Sequence, residues 1–317
     1  MSKKTSYLLG ILFTIIIGTI LYWWLCCRDC TDCENKNLKD KKNDEKNIVK
    51  EKPKMKEATL NPFTIKDGSF ALNAENNFNF KGSDYHLMQP IPANLQKAVA
   101  DLQTYVKDNP SKRIKIIGHY TAAEKNNSAY PNLGLARANA IKNYMVSQGV
   151  PSKIIDTYGT LKDDLTPDAN NVFFGPIDYE IKTIAEDDTS EADALKALRD
   201  KIVANPLVLN FKTGQTSIAL TAEQRQKVAD ISKYLDKVNT ASCLVTGHTD
   251  NTGNATKNIE YGQKRADFAK QYLIDNEIPA SKITAISKGQ TEPIADNTTE
   301  EGKAKNRRTV VTLNETN

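Results

Sequence analysis

Hydrophobic and polar positions run through the same order twice in this chain. Phe78-Asn79-Phe80-Lys81-Gly82 parallels Leu209-Asn210-Phe211-Lys212-Thr213 as a first short β run. Apolar residues at helical spacing follow, Leu95, Val99, Leu102 and Val106 in one copy and Val228, Ile231 and Leu235 in the other. Next come β runs at Ile114 to Ile117 and Cys243 to Thr246, ending in Gly118-His119 and Gly247-His248. A second helix is expected around Leu133-Gly134-Leu135-Ala136-Arg137-Ala138 and around Tyr261-Gly262-Gln263-Lys264-Arg265-Ala266. Pro-Ser-Lys-Ile and Pro-Ala-Ser-Lys-Ile turns lead into a third strand, and a final strand follows a loop. The pattern predicts an α+β fold, two tandem β-α-β-α-β(β) units with helices packed on a mixed sheet. Between the copies, Ser190-Glu191-Ala192-Asp193 opens a short amphipathic helix running through Ile202, and Pro206 marks its end.

Tyr7 to Cys27 carries no charge. About 21 residues at ~1.5 Å each span ~31 Å, enough for a bilayer core of ~30 Å. Tyr22, Trp23 and Trp24 stand near its far end, where aromatic belts form. The run ends in Trp-Trp-Leu-Cys-Cys rather than in small residues before a cut site, so an uncleaved single-pass anchor is expected. Residues 34 to about 60 are rich in Lys, Asn, Asp and Glu and poor in apolar residues, the composition of a disordered linker. The expected organisation is a cytoplasmic tip (1–6), an anchor (7–27), a cysteine-containing charged linker (28–60), a first repeat (61–183), a connecting helix (184–205) and a second repeat (206–317). Lysines and Arg28 after the apolar run outnumber Lys3 and Lys4 before it, which taken mechanically would place the C-terminus in the cytoplasm. Long translocated domains escape that rule, so the motifs below decide orientation.

Charge and composition exclude some partners. Lys and Arg (43) barely exceed Asp and Glu (39), and only 7% of residues are aromatic, so neither a nucleic-acid footprint nor a base-stacking platform is expected. Cys26, Cys27, Cys30 and Cys33 crowd the membrane boundary. Disulfides or free thiols, lipidation and metal binding all fit that spacing. No metal or cofactor is assigned. Cys243 falls in a strand pattern and is expected to be a small buried hydrophobe.

The candidate chemistry lies in the second copy. Asp250 follows Gly247-His248-Thr249 at the end of a strand, and Asn251-Thr252-Gly253-Asn254 is turn-forming. In the next helix Ile259, Gly262, Ala266, Ala269 and Leu273 are read as the buried stripe, with Arg265 at its rim. A lone carboxylate and a lone guanidinium on adjacent elements suit a zwitterion: Asp250 accepts from an ammonium and Arg265 binds a carboxylate bidentately. Left to themselves, the two could equally form an ordinary ion pair. Arg307 and Arg308 alternate before a β run, one expected at the sheet rim and one in solvent. His248 has no nucleophile motif beside it and is expected to be structural.

These residues resemble the OmpA-like domain shared by outer-membrane protein A, peptidoglycan-associated lipoprotein and the flagellar stator protein MotB. The resemblance covers roughly Leu207 to Leu313. It rests on Gly-His-Thr-Asp, Asn258, Arg265-Ala266, Gly289, Pro293, Asn297 and Asn306-Arg307-Arg308 in family order. It implies non-covalent binding of peptidoglycan, with Asp250 and Arg265 gripping the diaminopimelate end of the stem peptide. Asn258, Thr249 and Arg307 match positions beside that pocket. The first copy departs from the pattern: Thr121 stands at the Asp250 position and Asn170-Asn171-Val172-Phe173-Phe174 replaces Asn306-Arg307-Arg308, while Arg137 is kept. It is expected to keep the fold without binding diaminopimelate, and to serve as a spacer, a self-association surface or a site for another protein. The expected whole is a Gram-negative envelope tether, single-pass in the inner membrane (outer-membrane association being the other placement) with periplasmic repeats. The alternative is a wall-anchoring part of a larger membrane complex. Proton-driven stator work is disfavoured because Tyr7 to Cys27 has no carboxylate, and enzymatic activity because HExxH, paired-carboxylate and nucleophile-elbow motifs are absent.

Overall fold

The computed structural model describes residue 17, residues 57–185 and residues 187–315. The chain divides into two units, Met1–Lys54 and Met55–Asn317. In the first unit only Ile17 is described, as helical and exposed. The expected anchor (its Ile17 aside), the tip, the four clustered cysteines and nearly all of the linker lie outside the described residues. Among the described residues no helix is long and apolar enough to cross a membrane.

In the second unit the elements are β1 (Phe63–Asp67), β2 (Phe70–Ala74), β3 (Asn79–Lys81), α1 (Ala93–Asp108), β4 (Lys112–Tyr120), α2 (Leu133–Ser147), β5 (Ile155–Leu161), β6 (Val172–Phe174), β7 (Ile177–Thr183), α3 (Ser190–Ala204), β8 (Leu207–Asn210), α4 (Ala222–Lys237), β9 (Ala241–His248), α5 (Ala255–Asp275), β10 (Ile283–Gly289), α6 (Glu300–Asn306) and β11 (Arg308–Glu315). The twofold pattern is therefore a twofold structure. Both proline turns form single 3-10 turns, Ser152–Ile154 and Ala280–Lys282, just before β5 and β10.

The second repeat has one four-stranded mixed sheet in the order β10-β9-β11-β8. β9 and β10 are parallel, while β11 runs antiparallel to both β9 and β8. Ala241, Cys243 and Val245 alternate onto one face, as strand geometry requires, and join Ile231 and Leu235 of α4 with Ala266, Ala269 and Leu273 of α5 in one core. Burial pushes the Cys243 thiol up to about 12, consistent with a packed hydrophobe. α3 also packs here, with Ile202 buried in this core. Thr221 and Gln224 form a capping box that starts α4.

The first repeat does not keep one sheet. β5-β4-β7 form a three-stranded sheet and β3-β6 a separate antiparallel pair. Gly175-Pro176 breaks what is the single strand β11 in the other copy. Gly175 has φ +60°, and a Cβ there would lie 2.1 Å from the Asn61 carbonyl oxygen. Proline brings no N–H to a ladder, so pairing is split across this point. A hairpin, β1-β2, adds Phe63, Ile65 and Leu72 to the first core. Its signal was Gly68-Ser69 between two alternating runs, with Gly68 at φ +60°.

The repeats meet through charged groups held by both. Lys142 Nζ lies 2.9 Å from Asp236 Oδ2, and Ser152 also donates to Asp236. Lys237 Nζ lies 3.1 Å from Asp156 Oδ1 and donates to the carbonyls of Lys153 and Ile155.

Candidate functional site

The site in the second repeat sits where α5 crosses the end of β9. The crossing is closed by two glycines: a Cβ on Gly247 would lie 1.9 Å from the Gly262 carbonyl oxygen. The first repeat has the same contact, with a Cβ on Gly118 only 2.0 Å from Gly134 O. Backbone therefore rests on backbone, and the helix brings Arg265, three residues after Gly262, over the strand end.

The buried stripe of α5 is Asn258, Gly262, Arg265, Ala266, Ala269 and Leu273. Ile259, expected on it, is 44% exposed. Steps of 4, 3 and 4 residues from Asn258 follow the 3.6-residue period, and Ile259 falls one residue off that line. Arg265 is not at a rim but 2% exposed. It is covered by the segment after β8, with Nε donating to Gln215 O (2.9 Å) and Nη2 to Lys212 O (3.4 Å), while Nη1 donates to His248 O at the end of β9 (3.0 Å). Its guanidinium centre lies 5.1 Å from the Phe211 ring. These bonds use three of the five N–H groups of a guanidinium. Burial pushes Arg265 down to about 10, with the Asp250 charge opposing and the Arg307 charge adding to that shift, so it stays protonated at neutral pH.

Asp250 does not pair with Arg265. Its partner is Arg307, whose Nη1 lies 2.6 Å from Oδ2. Oδ1 accepts from Thr252 N at 2.9 Å. Burial would raise the Asp250 carboxyl, but the bonds from Arg307 and Thr252 outweigh it and hold the group below the usual carboxylate range. Arg307 Nε also donates to Phe211 O at 3.2 Å. Neither Arg307 nor Arg308 faces solvent: both are buried, and Arg308 Nη2 donates to Glu292 O at 3.2 Å.

The turn that carries Asp250 is held from several sides. Thr249 N donates to Gly289 O (2.8 Å), and the Thr249 hydroxyl donates to Asp250 O (2.8 Å). Asn258 Nδ2 donates to Asp250 O (3.3 Å) and to Gln290 Oε1 (2.5 Å). Asn306 is fully buried: Oδ1 accepts from Ile294 N and Ala295 N, and Nδ2 donates to Ala295 O and Asn297 Oδ1. Asn297 Oδ1 in turn accepts from Asn251 N at 3.4 Å. Thr249 and Asn258 thus hold the Asp250 turn directly, and Asn306 braces it through Asn297. Asn306 ends α6, a short helix that the sequence pattern had as loop.

His248 is buried, and its Nδ1 has no hydrogen-bond partner. Burial, then the nearby Arg308 charge, pushes it down to about 4. An unfolded histidine titrates near 6.5. Between these values the unfolded chain binds a proton that the folded one refuses, so stability rises with pH through this window and falls on acidification below about 6.5. The gap between about 4 and about 6.5 corresponds to roughly 3 kcal/mol. Over urea unfolding from pH 7 to pH 4.5 the native chain should lose most of that amount relative to His248→Gln, a difference in which groups common to both, such as the Glu277 carboxyl raised to about 7, cancel. Equal slopes would rule out His248 as the source.

The first repeat holds Arg137 in the same cradle. Its Nη1 donates to His119 O (2.8 Å), Nη2 to Lys81 O (3.3 Å) and Nε to Asp84 O (3.1 Å). The guanidinium lies 5.3 Å from the rings of both Phe80 and Phe173. Here the two remaining donors are occupied by Glu124: Nη2 to Oε1 at 2.5 Å and Nη1 to Oε2 at 3.3 Å. Thr121 and Phe173 stand where the second repeat has Asp250 and Arg307. Sequence comparison showed the loss of the carboxylate at position 121 but gave no sign of one supplied by the loop at 124.

A model of the OmpA family matches residues 79–172 and 210–307, together more than half of the chain. Outer membrane porin F of Pseudomonas fluorescens is 38% identical over 81 residues, 26% of this chain and 25% of that protein. A peptidoglycan-associated lipoprotein of Buchnera aphidicola is 32% identical over 92 residues, 29% of this chain and 53% of that one. Peptidoglycan-binding protein ArfA of Mycobacterium tuberculosis is 31% identical over 120 residues, 38% of this chain and 36% of that one. The chain thus spans about half or less of the length of these curated relatives. Among solved structures, the cell wall anchor of the T6SS from Pseudomonas aeruginosa is 28% identical, covering 40% of this chain and 94% of that one with a TM-score of 0.29. With both of its repeats matched by the family model, the chain belongs to the OmpA family.

Proposed function

We propose that the protein binds peptidoglycan non-covalently through its second repeat and tethers a membrane to the wall, without catalysing a reaction. In this reading residues 7–27 form a single-pass inner-membrane anchor and the repeats lie in the periplasm. The ligand is the diaminopimelate end of the stem peptide: Arg265 takes its carboxylate and Asp250 its ammonium. The observation that carries this is the separate holding of the two charges. Asp250 and Arg265 are buried at one end of the sheet, yet neither neutralises the other by direct contact. Arg265 retains two N–H donors, and its counterpart Arg137 accommodates a carboxylate in that position. Names of relatives, a peptidoglycan-associated lipoprotein and a peptidoglycan-binding protein, point the same way.

Since Arg265 is 2% and Asp250 5% exposed, a ligand enters only if the covering chain moves. Lys212 to Leu220 is the candidate, because it has no regular structure and is held to Arg265 by two carbonyls. Each charge-assisted bond contributes about 1.5–3 kcal/mol, so a single site is expected to be weak, micromolar to millimolar. A polymeric wall and a membrane anchor raise the effective concentration enough for tethering.

Asp250→Asn should reduce co-sedimentation with purified sacculi by roughly 10- to 100-fold in affinity. Arg265→Lys should do the same by removing the fork while keeping the charge. Circular dichroism on each variant checks that the fold is retained. Native affinity in both variants would refute the assigned site.

A further inference from the structure

The arginine site of the first repeat is already full. Glu124 is the ligand, and it comes from the chain itself. Its Oε1 accepts from Arg137 Nη2 (2.5 Å) and Ser83 N (3.0 Å). Its Oε2 accepts from Thr121 N (2.9 Å) and Arg137 Nη1 (3.3 Å). Two backbone N–H groups and a guanidinium fork leave this carboxylate with little unused acceptor capacity. The ion pair is sealed from water, with side-chain exposures of 0% and 4%.

The second repeat shows that the cradle does not itself require a carboxylate. Arg265 keeps the equivalent three carbonyl bonds with no such group in its fork. The residue three after Thr121 is Glu124; the residue three after Asp250 is Gly253, which has no side chain to offer. The Glu124 loop is also clamped. Lys125 N donates to Ser83 Oγ (2.9 Å) within the repeat. From the second repeat, Arg225 Nη1 donates to Ser128 O (3.1 Å) and the Tyr272 hydroxyl to Ala129 O (3.3 Å). A plug that had to leave for an incoming ligand would not be expected to carry fastenings from two domains.

We propose that the first repeat contains a carboxylate-binding site occupied in cis by Glu124, closed to free carboxylates in the native chain and opened by removing that one side chain. This repeat then contributes no arginine-mediated ligand contact. The inference concerns Arg137 alone and does not depend on wall binding by the second repeat.

Formate is the probe, tested on the full chain in detergent. Glu124→Ala strands a buried guanidinium and should lower the melting temperature by about 10 °C. Sodium formate should restore much of that loss saturably, beyond sodium chloride at equal ionic strength and beyond any formate effect on the native chain. Glu124→Ala/Arg137→Met should show no formate-specific recovery. A formate response in Glu124→Ala no larger than in the native chain would overturn the proposal. Should Glu124→Ala not fold, native protein decides: the 15N signal of Arg137 Nε must stay unmoved through a formate titration, and movement at millimolar formate would show that Glu124 is displaceable and the site not closed.

Discussion

Asp250→Thr is expected to destabilise the second repeat by about 3–5 kcal/mol, and Asp250→Thr/Arg307→Phe to recover part of that loss. The single change removes the carboxylate that lies 2.6 Å from Arg307 Nη1 and leaves a buried guanidinium with Phe211 O as its remaining partner. That charge also stands close enough to act on Arg265, so two cations would share one dry site. Removing both members of a buried pair costs less than removing one, because the Arg307 charge leaves with its partner; Arg265 then stays buried without the nearby Asp250 carboxylate, so the recovery is partial. The first repeat carries the double replacement together with Glu124, a carboxylate that the second repeat does not have at Gly253. Thr121 and Phe173 occupy the two positions in the first repeat, where the Phe173 ring packs 5.3 Å from the Arg137 guanidinium. A double-mutant cycle in urea should give a coupling energy of several kcal/mol. A double variant no more stable than the single one would show that the pair is not a unit. Sacculus binding should be lost in both, so that part of the stability returns without function.

Gly247→Ala is expected to cost about 3 kcal/mol or more, although it adds one methyl group. The new Cβ would stand 1.9 Å from Gly262 O, and neither atom belongs to a flexible side chain. β9 and α5 must separate, which disturbs the packing of Ala266 and Val245, both fully buried. The same displacement carries Arg265 away from His248 O, so wall binding should fall beyond what unfolding explains. Gly118→Ala meets Gly134 O at 2.0 Å and should destabilise the first repeat comparably, with sacculus affinity of the folded protein unchanged. An unfolding midpoint for Gly247→Ala equal to that of the native chain would refute the close-contact argument.

Legibility in the sequence followed the range of the interaction. The helices and strands were visible because burial on one side imposes a period of 3.6 or 2 that neighbouring residues display. Gly262 was readable as a close-packing position since it fell on that stripe. Ile259 was misplaced by one residue, an error that a weakly apolar stripe of Gly, Ala and Arg invites. The split of the last strand in the first repeat hung on Gly175-Pro176, two residues whose effect on pairing depends on where Asn61 lies. Arg307 was placed beside the pocket by its motif, but its pairing with Asp250 and the burial of both Arg307 and Arg308 were not legible, because that partner is 57 residues away in sequence.

The duplication, the α+β order of elements and the family are legible in the chain alone, since each is written in local periodicity and in spaced motif residues. The sequence also placed Asp250 and Arg265 on adjacent elements, a strand end and the following helix. How the charges pair emerges in the folded chain: Asp250 with Arg307, Arg137 with Glu124, and Arg265 with three carbonyls and the Phe211 ring. Ion pairing depends on distances of a few ångströms between residues far apart in the chain, and on whether water is excluded there. Neither quantity has a local signature, so the same arginine sits in the same cradle twice and meets a different environment each time.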